Sequence, residues 1–203
     1  MIDEQILRQF QEIGRDLYVA DLVSSHGGNI SIRLGDRLII KRRGAMLGRL
    51  REEDLIETGL EKTDSGVMLA STELVVHRAI YLATRALAVV HAHPRTAIAL
   101  SLSREEIVPI DNEASYLLHK VPVVAAEFAS GSPELVEKVP AALQQYKIVM
   151  LRGHGCFSVG QTLDEAFQWV SCLEEACQII MAAKTIDEPF IEYRKMSADY
   201  KNW

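Results

Sequence analysis

At the start of the chain the apolar positions Ile2, Ile6, Phe10, Ile13 and Leu17 recur every three or four places. Side chains at that spacing share one face of a helix, and with Asp3 and Glu4 in the first turn the pattern predicts an amphipathic helix over residues 2–22. The tight run His26-Gly27-Gly28-Asn29 ends it, and the period then shortens. Asn29-Ile30-Ser31-Ile32-Arg33 alternates as a strand does, Gly35-Asp36 turns the chain, and Leu38-Ile39-Ile40 brings it back, so this stretch predicts a β-hairpin.

Beyond a strand-like stretch near Ile56 and a turn at Asp64-Ser65-Gly66, Ser71-Thr72 opens a predicted helix that runs through Tyr81 to about Thr84. Residues 87–93 form an apolar run ending in His-Ala-His, a buried strand, and Pro94 suits the first turn of the helix it feeds. Residues 121–125 predict another buried strand, and Ser132-Pro133-Glu134 starts a helix leading to Tyr146. Residues 148–151 and 157–159 are short strands on either side of Gly153-His154-Gly155. A capping box at Thr162-Leu163-Asp164-Glu165 then opens a long helix to about Lys184. The elements sum to an α/β chain, a mixed sheet with helices on its faces and no internal repeat.

Composition narrows the class. With 48% hydrophobic and 25% charged residues the chain has the balance of a globular domain rather than a disordered one, and no apolar run is long enough to span a bilayer. No composition break divides residues 1–203, so one domain is expected. The acidic, helical start is unlike a secretory leader, which points to the cytoplasm. A net charge of −6 argues against nucleic acid as a partner, since that binding draws on a basic surface. Against this background Lys41-Arg42-Arg43 stands out, either as a solvated turn or as the lining of a pocket for a small anion. Cys156, Cys172 and Cys177 have no metal-knuckle or redox spacing and read as free thiols.

The candidate chemistry lies in the histidines. His91 and His93 are two apart on a strand, so their side chains point to the same face and can grip one ion; a pair of satisfied core or surface histidines is the alternative. His154, between two glycines at a sharp turn, can present its imidazole to a shared cleft or simply bond to backbone. Three neutral imidazoles leave the fourth position of tetrahedral zinc open for substrate. Glu73 is the candidate proton carrier, although an acid near a helix N-terminus also favours the helix dipole. His77, one turn on, could orient that carboxylate or pack beside it. Ser71 and Thr72 offer hydroxyls and helix N–H groups to a phosphate, or cap the helix; Gly28-Asn29 and Arg43-Gly44 are turns where an anion can approach the backbone closely. His26 and His119 have no partner in the pattern and read as structural.

Gly28-Asn29-Ile30-Ser31, Ser71-Thr72-Glu73 with His77, His91-Ala92-His93-Pro94 and Gly153-His154-Gly155, in this order, resemble the class II aldolase/adducin family, most closely its fuculose-phosphate aldolase type. The resemblance implies a three-layer α/β/α domain with a central, largely antiparallel mixed sheet, assembled as a homotetramer with active sites at subunit boundaries. It implies that His91, His93 and His154 hold zinc or another divalent metal, that Glu73 is the acid/base, and that Asn29, Gly44, Ser71 and Thr72, with Gly28 and Arg43 in the same loops, hold the phosphate of a sugar-phosphate substrate. The implied reaction is reversible cleavage of a ketose 1-phosphate to dihydroxyacetone phosphate and an aldehyde through a metal-stabilised enediolate.

Two departures accompany the resemblance. Lys41-Arg42-Arg43-Gly44 replaces a Thr-Pro-Thr-Gly phosphate loop, and the family's catalytic tyrosine falls near residues 111–113, leaving Glu113 and Tyr116 as candidates for the aldehyde side. A methylthioribulose-1-phosphate dehydratase-like lyase uses a similar site, whereas a sugar-phosphate 4-epimerase tends to carry Asp in place of Glu73. A Schiff base on Lys41 is a different route to the same cleavage. An adducin-like scaffold would be expected to lack the metal ligands.

Overall fold

Eight strands pair into one sheet in the computed structural model of the protein, which describes residues 2–128, 131–186 and 188–196. They are β1 (Asn29–Leu34), β2 (Arg37–Lys41), β3 (Leu55–Gly59), β4 (Ala88–Ala92), β5 (Glu106–Ile107), β6 (Val121–Val124), β7 (Ile148–Leu151) and β8 (Gly155–Gly160), in the order β3-β2-β1-β4-β8-β7-β6-β5. Every neighbouring pair is antiparallel except β6 with β7. The expected largely antiparallel mixed sheet is therefore present.

Six helices cover its two faces: α1 (Glu4–Val19), α2 (Leu74–Ala83), α3 (Arg95–Ser101), α4 (Asn112–Leu117), α5 (Pro133–Leu143) and α6 (Leu163–Ile186). Residues of α1, α3, α4 and α6 share one buried cluster with Ile30, Val90 and Met150; residues of α2 and α5 share the other with Ile40, Val89 and Phe157. Strand alternation explains the division, because Ala88, Val90 and Ala92 face the first cluster and Val89 the second. Each fully buried side chain of this size contributes about 1.5–3 kcal/mol, so the two clusters together fix the three layers. Among the described residues no helix is long and apolar enough to cross a membrane.

Four helix ends depart from the sequence pattern, one of them the end of α5, which stops at Leu143 rather than Tyr146. The first helix stops at Val19, not residue 22: Asp21 adopts a left-handed φ of 58°, and Leu22 turns inward to 2% exposure, where its carbonyl accepts from the His93 amide. The second begins at Leu74 rather than at Ser71, because the Ser71 carbonyl closes a tight three-residue turn with the Leu74 amide and Glu73 is the first to accept a helical bond, from His77. Pro94 occupies the N-cap of α3 instead of its first turn. At α6, Thr162 Oγ1 accepts from the Glu165 amide, but the Glu165 carboxylate turns to the Gln161 amide at 2.6 Å. The short β5 and α4 carry too few residues to register as a period.

Gly14 in α1 packs against the backbone of Leu47, and a methyl group there would meet the Leu47 carbonyl and, at 3.2 Å, a Leu50 methyl. Helix propensity alone would make alanine better by about 0.8–1 kcal/mol. Overpacking should win, and Gly14→Ala is expected to lose about 1–3 kcal/mol in chemical denaturation; a stabilised variant would show that α1 is not pressed against this loop.

Candidate active site and metal centre

The site gathers where β1, β4 and β8 end together. Asn29 is paired with His91 across β1 and β4, and His91 with Phe157 across β4 and β8, so ladder register alone brings residues far apart in sequence side by side. His91 is on the face of Val89 and Phe157, and its ring stacks on Phe157 with centroids 4.2 Å apart. Its Nδ1 lies 2.9 Å from the Cys156 carbonyl. A carbonyl only accepts, so Nδ1 carries the proton and Nε2 is left with its lone pair.

That lone pair faces another histidine. His93 Nε2 stands 3.1 Å from His91 Nε2, and one donor atom each from His91, His93 and His154 fall within 4.8 Å of one another. Two nitrogens sharing a tetrahedral zinc at about 2.0–2.1 Å sit about 3.3 Å apart, so the spacing suits a common ion. Burial, then the neighbouring His93 and His154, holds His91 well below the usual histidine range. Burial, His154 and Lys41 lower His93 to about 4. Both rings are therefore neutral near pH 7, as metal ligands must be.

Two glycines let the third ligand arrive. Gly153 has φ +69°, a left-handed conformation that a side chain would strain. At Gly155 an added Cβ would meet the Ala92 carbonyl and lie 2.6 Å from His93 Cδ2 and 3.3 Å from His91 Cε1. Behind His93, the Glu174 carboxylate on α6 accepts from the amides of Thr96 and Ala97 at 3.0 Å, which satisfies the start of α3 and anchors the ligand-bearing turn.

A cleft of about 200 Å³ connects the histidines to the anion loops, and its walls include Gly28, Asn29, Lys41, Arg43, Gly44, Ser71, Thr72 and Glu73. Two backbone ties bring the loops together: the Ser71 amide donates to the Lys41 carbonyl, and the Arg43 amide to that of Leu69. Within the basic run each cation has a separate environment. Lys41 is 2% exposed and donates to the carbonyls of Ala45 (2.8 Å) and His26 (3.2 Å), and burial depresses it to about 8 against the opposing pull of Asp54. Arg42 is held by Asp54 at 2.6 Å, and Arg43 is exposed at the cleft.

Glu73 is 4% exposed and sits at the N-cap of α2, one residue before the helix. Ser71 Oγ accepts from the Glu73 amide at 3.3 Å and its carbonyl from the Leu74 amide, so these helix-start amides face inward, and Ser71 keeps its hydroxyl proton to donate. His77 does not orient Glu73 as the helical spacing suggested: its two ring nitrogens bond to Asn29 and Ser31. Glu113 and Tyr116 lie on α4, away from this cleft, with Tyr116 64% exposed. His26 joins the cleft wall, whereas His119 lies beyond it. The supports given by Phe157, the Cys156 carbonyl and Glu174 carry no motif; only strand register reveals the first two. The three cysteines are buried and free.

Fold and histidine cluster together define a class II, metal-dependent lyase. The model of the Class II Aldolase and Adducin N-terminal domain family matches residues 8–181, and the chain belongs to that family. An L-fuculose phosphate aldolase of Methanocaldococcus jannaschii is 30% identical over 177 residues, covering 86% of this chain and 94% of that one. The crystal structure of L-fuculose-1-phosphate aldolase from Thermus thermophilus superposes with a TM-score of 0.87 at 36% identity, over 93% of this chain and 100% of that one. A Nocardia farcinica protein named a probable bifunctional methylthioribose-1-phosphate isomerase/methylthioribulose-1-phosphate dehydratase is 26% identical over 187 residues, 82% of this chain and 34% of that one.

Gly155→Ala tests the spacing of the ligands. It is expected to weaken metal retention by about 10–100-fold, the range for groups that orient ligands, in a competitive titration with a chelator. Unchanged affinity would remove Gly155 from the construction of the site.

Proposed function

We propose that the chain is a zinc-dependent aldolase that reversibly cleaves a ketose 1-phosphate, of the L-fuculose-1-phosphate kind, to dihydroxyacetone phosphate and an aldehyde. The observation that carries this reading is that three imidazoles at ligand spacing, a buried carboxylate and the glycine loops share one cleft. Zinc suits an all-imidazole donor set, and other divalent ions accept the same ligands. When bound, the ion supplies a Lewis acid for the substrate oxygens beside the bond that breaks.

The chain's own groups do the rest. Asn29, Ser71, Thr72 and Arg43, with the backbone at Gly28 and Gly44, hold the phosphate, and Lys41 adds charge from below. Glu73 lines the same cleft; in cleavage it delivers a proton to the carbon that loses its partner, and in synthesis it removes one. Aldehyde handling by Glu113 or Tyr116 belongs to a subunit boundary of a proposed homotetramer, where a residue exposed on one chain completes a neighbour's cleft.

A dehydratase reading is favoured by the Nocardia relative, since a base in this cleft could instead remove a proton from the carbon beside the carbonyl of the intact ketose, and the enolate so formed would expel the neighbouring hydroxyl as water. The presence of Glu73 where the epimerase branch tends to have Asp supports cleavage over epimerisation. Incubation with ketose 1-phosphates should release dihydroxyacetone phosphate; a diketone phosphate without that fragment would favour the dehydratase.

Glu73→Gln should lower turnover by about 10²–10⁴-fold while metal content and inorganic phosphate affinity stay close to wild type. Full turnover in that variant would exclude Glu73 as the proton carrier. Lys41 supplies a pH test. It is cationic below about 8 and neutral above, so phosphate affinity should fall as pH rises through that value, while a neutral amine still donates to both carbonyls and keeps the loop folded. Lys41→Met should abolish that step in phosphate affinity measured from about pH 7 to 9.5; a step that persists would assign it to another group.

A further inference from the structure

A chain of buried hydrogen bonds runs from the core behind the sheet into the wall of the cleft. The Tyr81 hydroxyl lies 2.7 Å from Ser31 Oγ, Ser31 Oγ lies 2.6 Å from His77 Nδ1, and His77 Nε2 lies 2.5 Å from Asn29 Oδ1. Tyr81, Ser31 and His77 are fully buried and Asn29 is 5% exposed, so water does not compete along its length.

Its cleft end fixes the direction in which protons are shared. Asn29 Oδ1 faces His77 Nε2, and an amide oxygen only accepts, so Nε2 carries the ring's hydrogen, Nδ1 accepts from Ser31, and Ser31 in turn takes the Tyr81 phenol proton. An imidazole that accepts at Nδ1 carries its hydrogen on Nε2, and burial, which lowers this ring to about 3, keeps it from gaining a second. The Nε2–H donates to Asn29 Oδ1. The amide oxygen of Asn29 is thereby committed to the interior, and its NH₂ group is the end left for the cleft, beside His91 across the strand pair.

We propose that His77 is a positioning residue that locks the Asn29 carboxamide as a donor-only group toward the cleft, so that this wall receives an anionic oxygen and turns away a cation. The lock itself follows from the buried chain; that the received group is the substrate phosphate rests on the function proposed above.

Side-chain ¹⁵N spectroscopy of the metal-loaded wild-type protein tests the lock without any substrate. His77 should show a protonated Nε2 and an unprotonated Nδ1 near neutral pH, and the opposite tautomer or a cationic ring would overturn the proposal. Inorganic phosphate then probes the consequence. His77→Phe should raise its Kd by at least about tenfold, the loss of one bond to a charged group, with metal content unchanged, and His77→Gln, whose carboxamide can donate in place of Nε2–H, should recover most of it. A folded His77→Phe protein with wild-type phosphate affinity would overturn the positioning role, and should that variant not fold, the wild-type tautomer decides. Wild-type protein with the expected tautomer and no affinity for phosphate would instead sink the phosphate reading and leave the lock standing.

Discussion

Two imidazole nitrogens, His91 Nε2 and His93 Nε2, are held 3.1 Å apart by the fold, and the rest of the site is arranged around that pair. Left to itself a pair of rings would rotate away or pick up a proton. Here neither escape is open. The Cys156 carbonyl claims the far nitrogen of His91, Phe157 blocks its rotation by stacking, and burial of both rings makes a charge unfavourable. A divalent ion could take the lone pairs of both nitrogens once the proton between them has left, so the framework keeps two donors at ligand spacing.

The same strand ends supply the opposite polarity a short distance away. His91 on β4, His93 just past its end and His154 on the turn before β8 form an electron-rich corner, whereas Lys41, Arg43, Ser71 and the Asn29 amide form a donor-rich one. Glu73 lines the same cleft, buried at the head of α2. A substrate with a phosphate at one end and vicinal oxygens at the other would find each end matched, and the carbon between them would meet the carboxylate. Family membership and the Thermus structure place this arrangement among class II, metal-dependent lyases.

Much of this is legible in the sequence because the periods are clear. The apolar stripe of α1, the alternation of β1 and β2 and the apolar run into His91 all predict the elements that form. His91 and His93 read as a chelate because alternation puts both on one face. What the sequence leaves hidden is set by contacts between distant segments. The partner of His77 depends on β1 lying beneath α2, so helical spacing alone points to Glu73 when the ring in fact meets Asn29 and Ser31. Lys41, Arg42 and Arg43 look alike in the sequence, yet one is buried, one is paired and one is exposed at the cleft.

Lys41 also has a mechanical role. Its ammonium reaches one carbonyl before Gly27-Gly28 and another after Gly44, so a single side chain clasps the two glycine loops that flank the anion corner. The loops are in consequence one moving part rather than two. A change that loosens either wall releases its opposite as well, and a lineage seeking a differently shaped substrate would have to remodel both together.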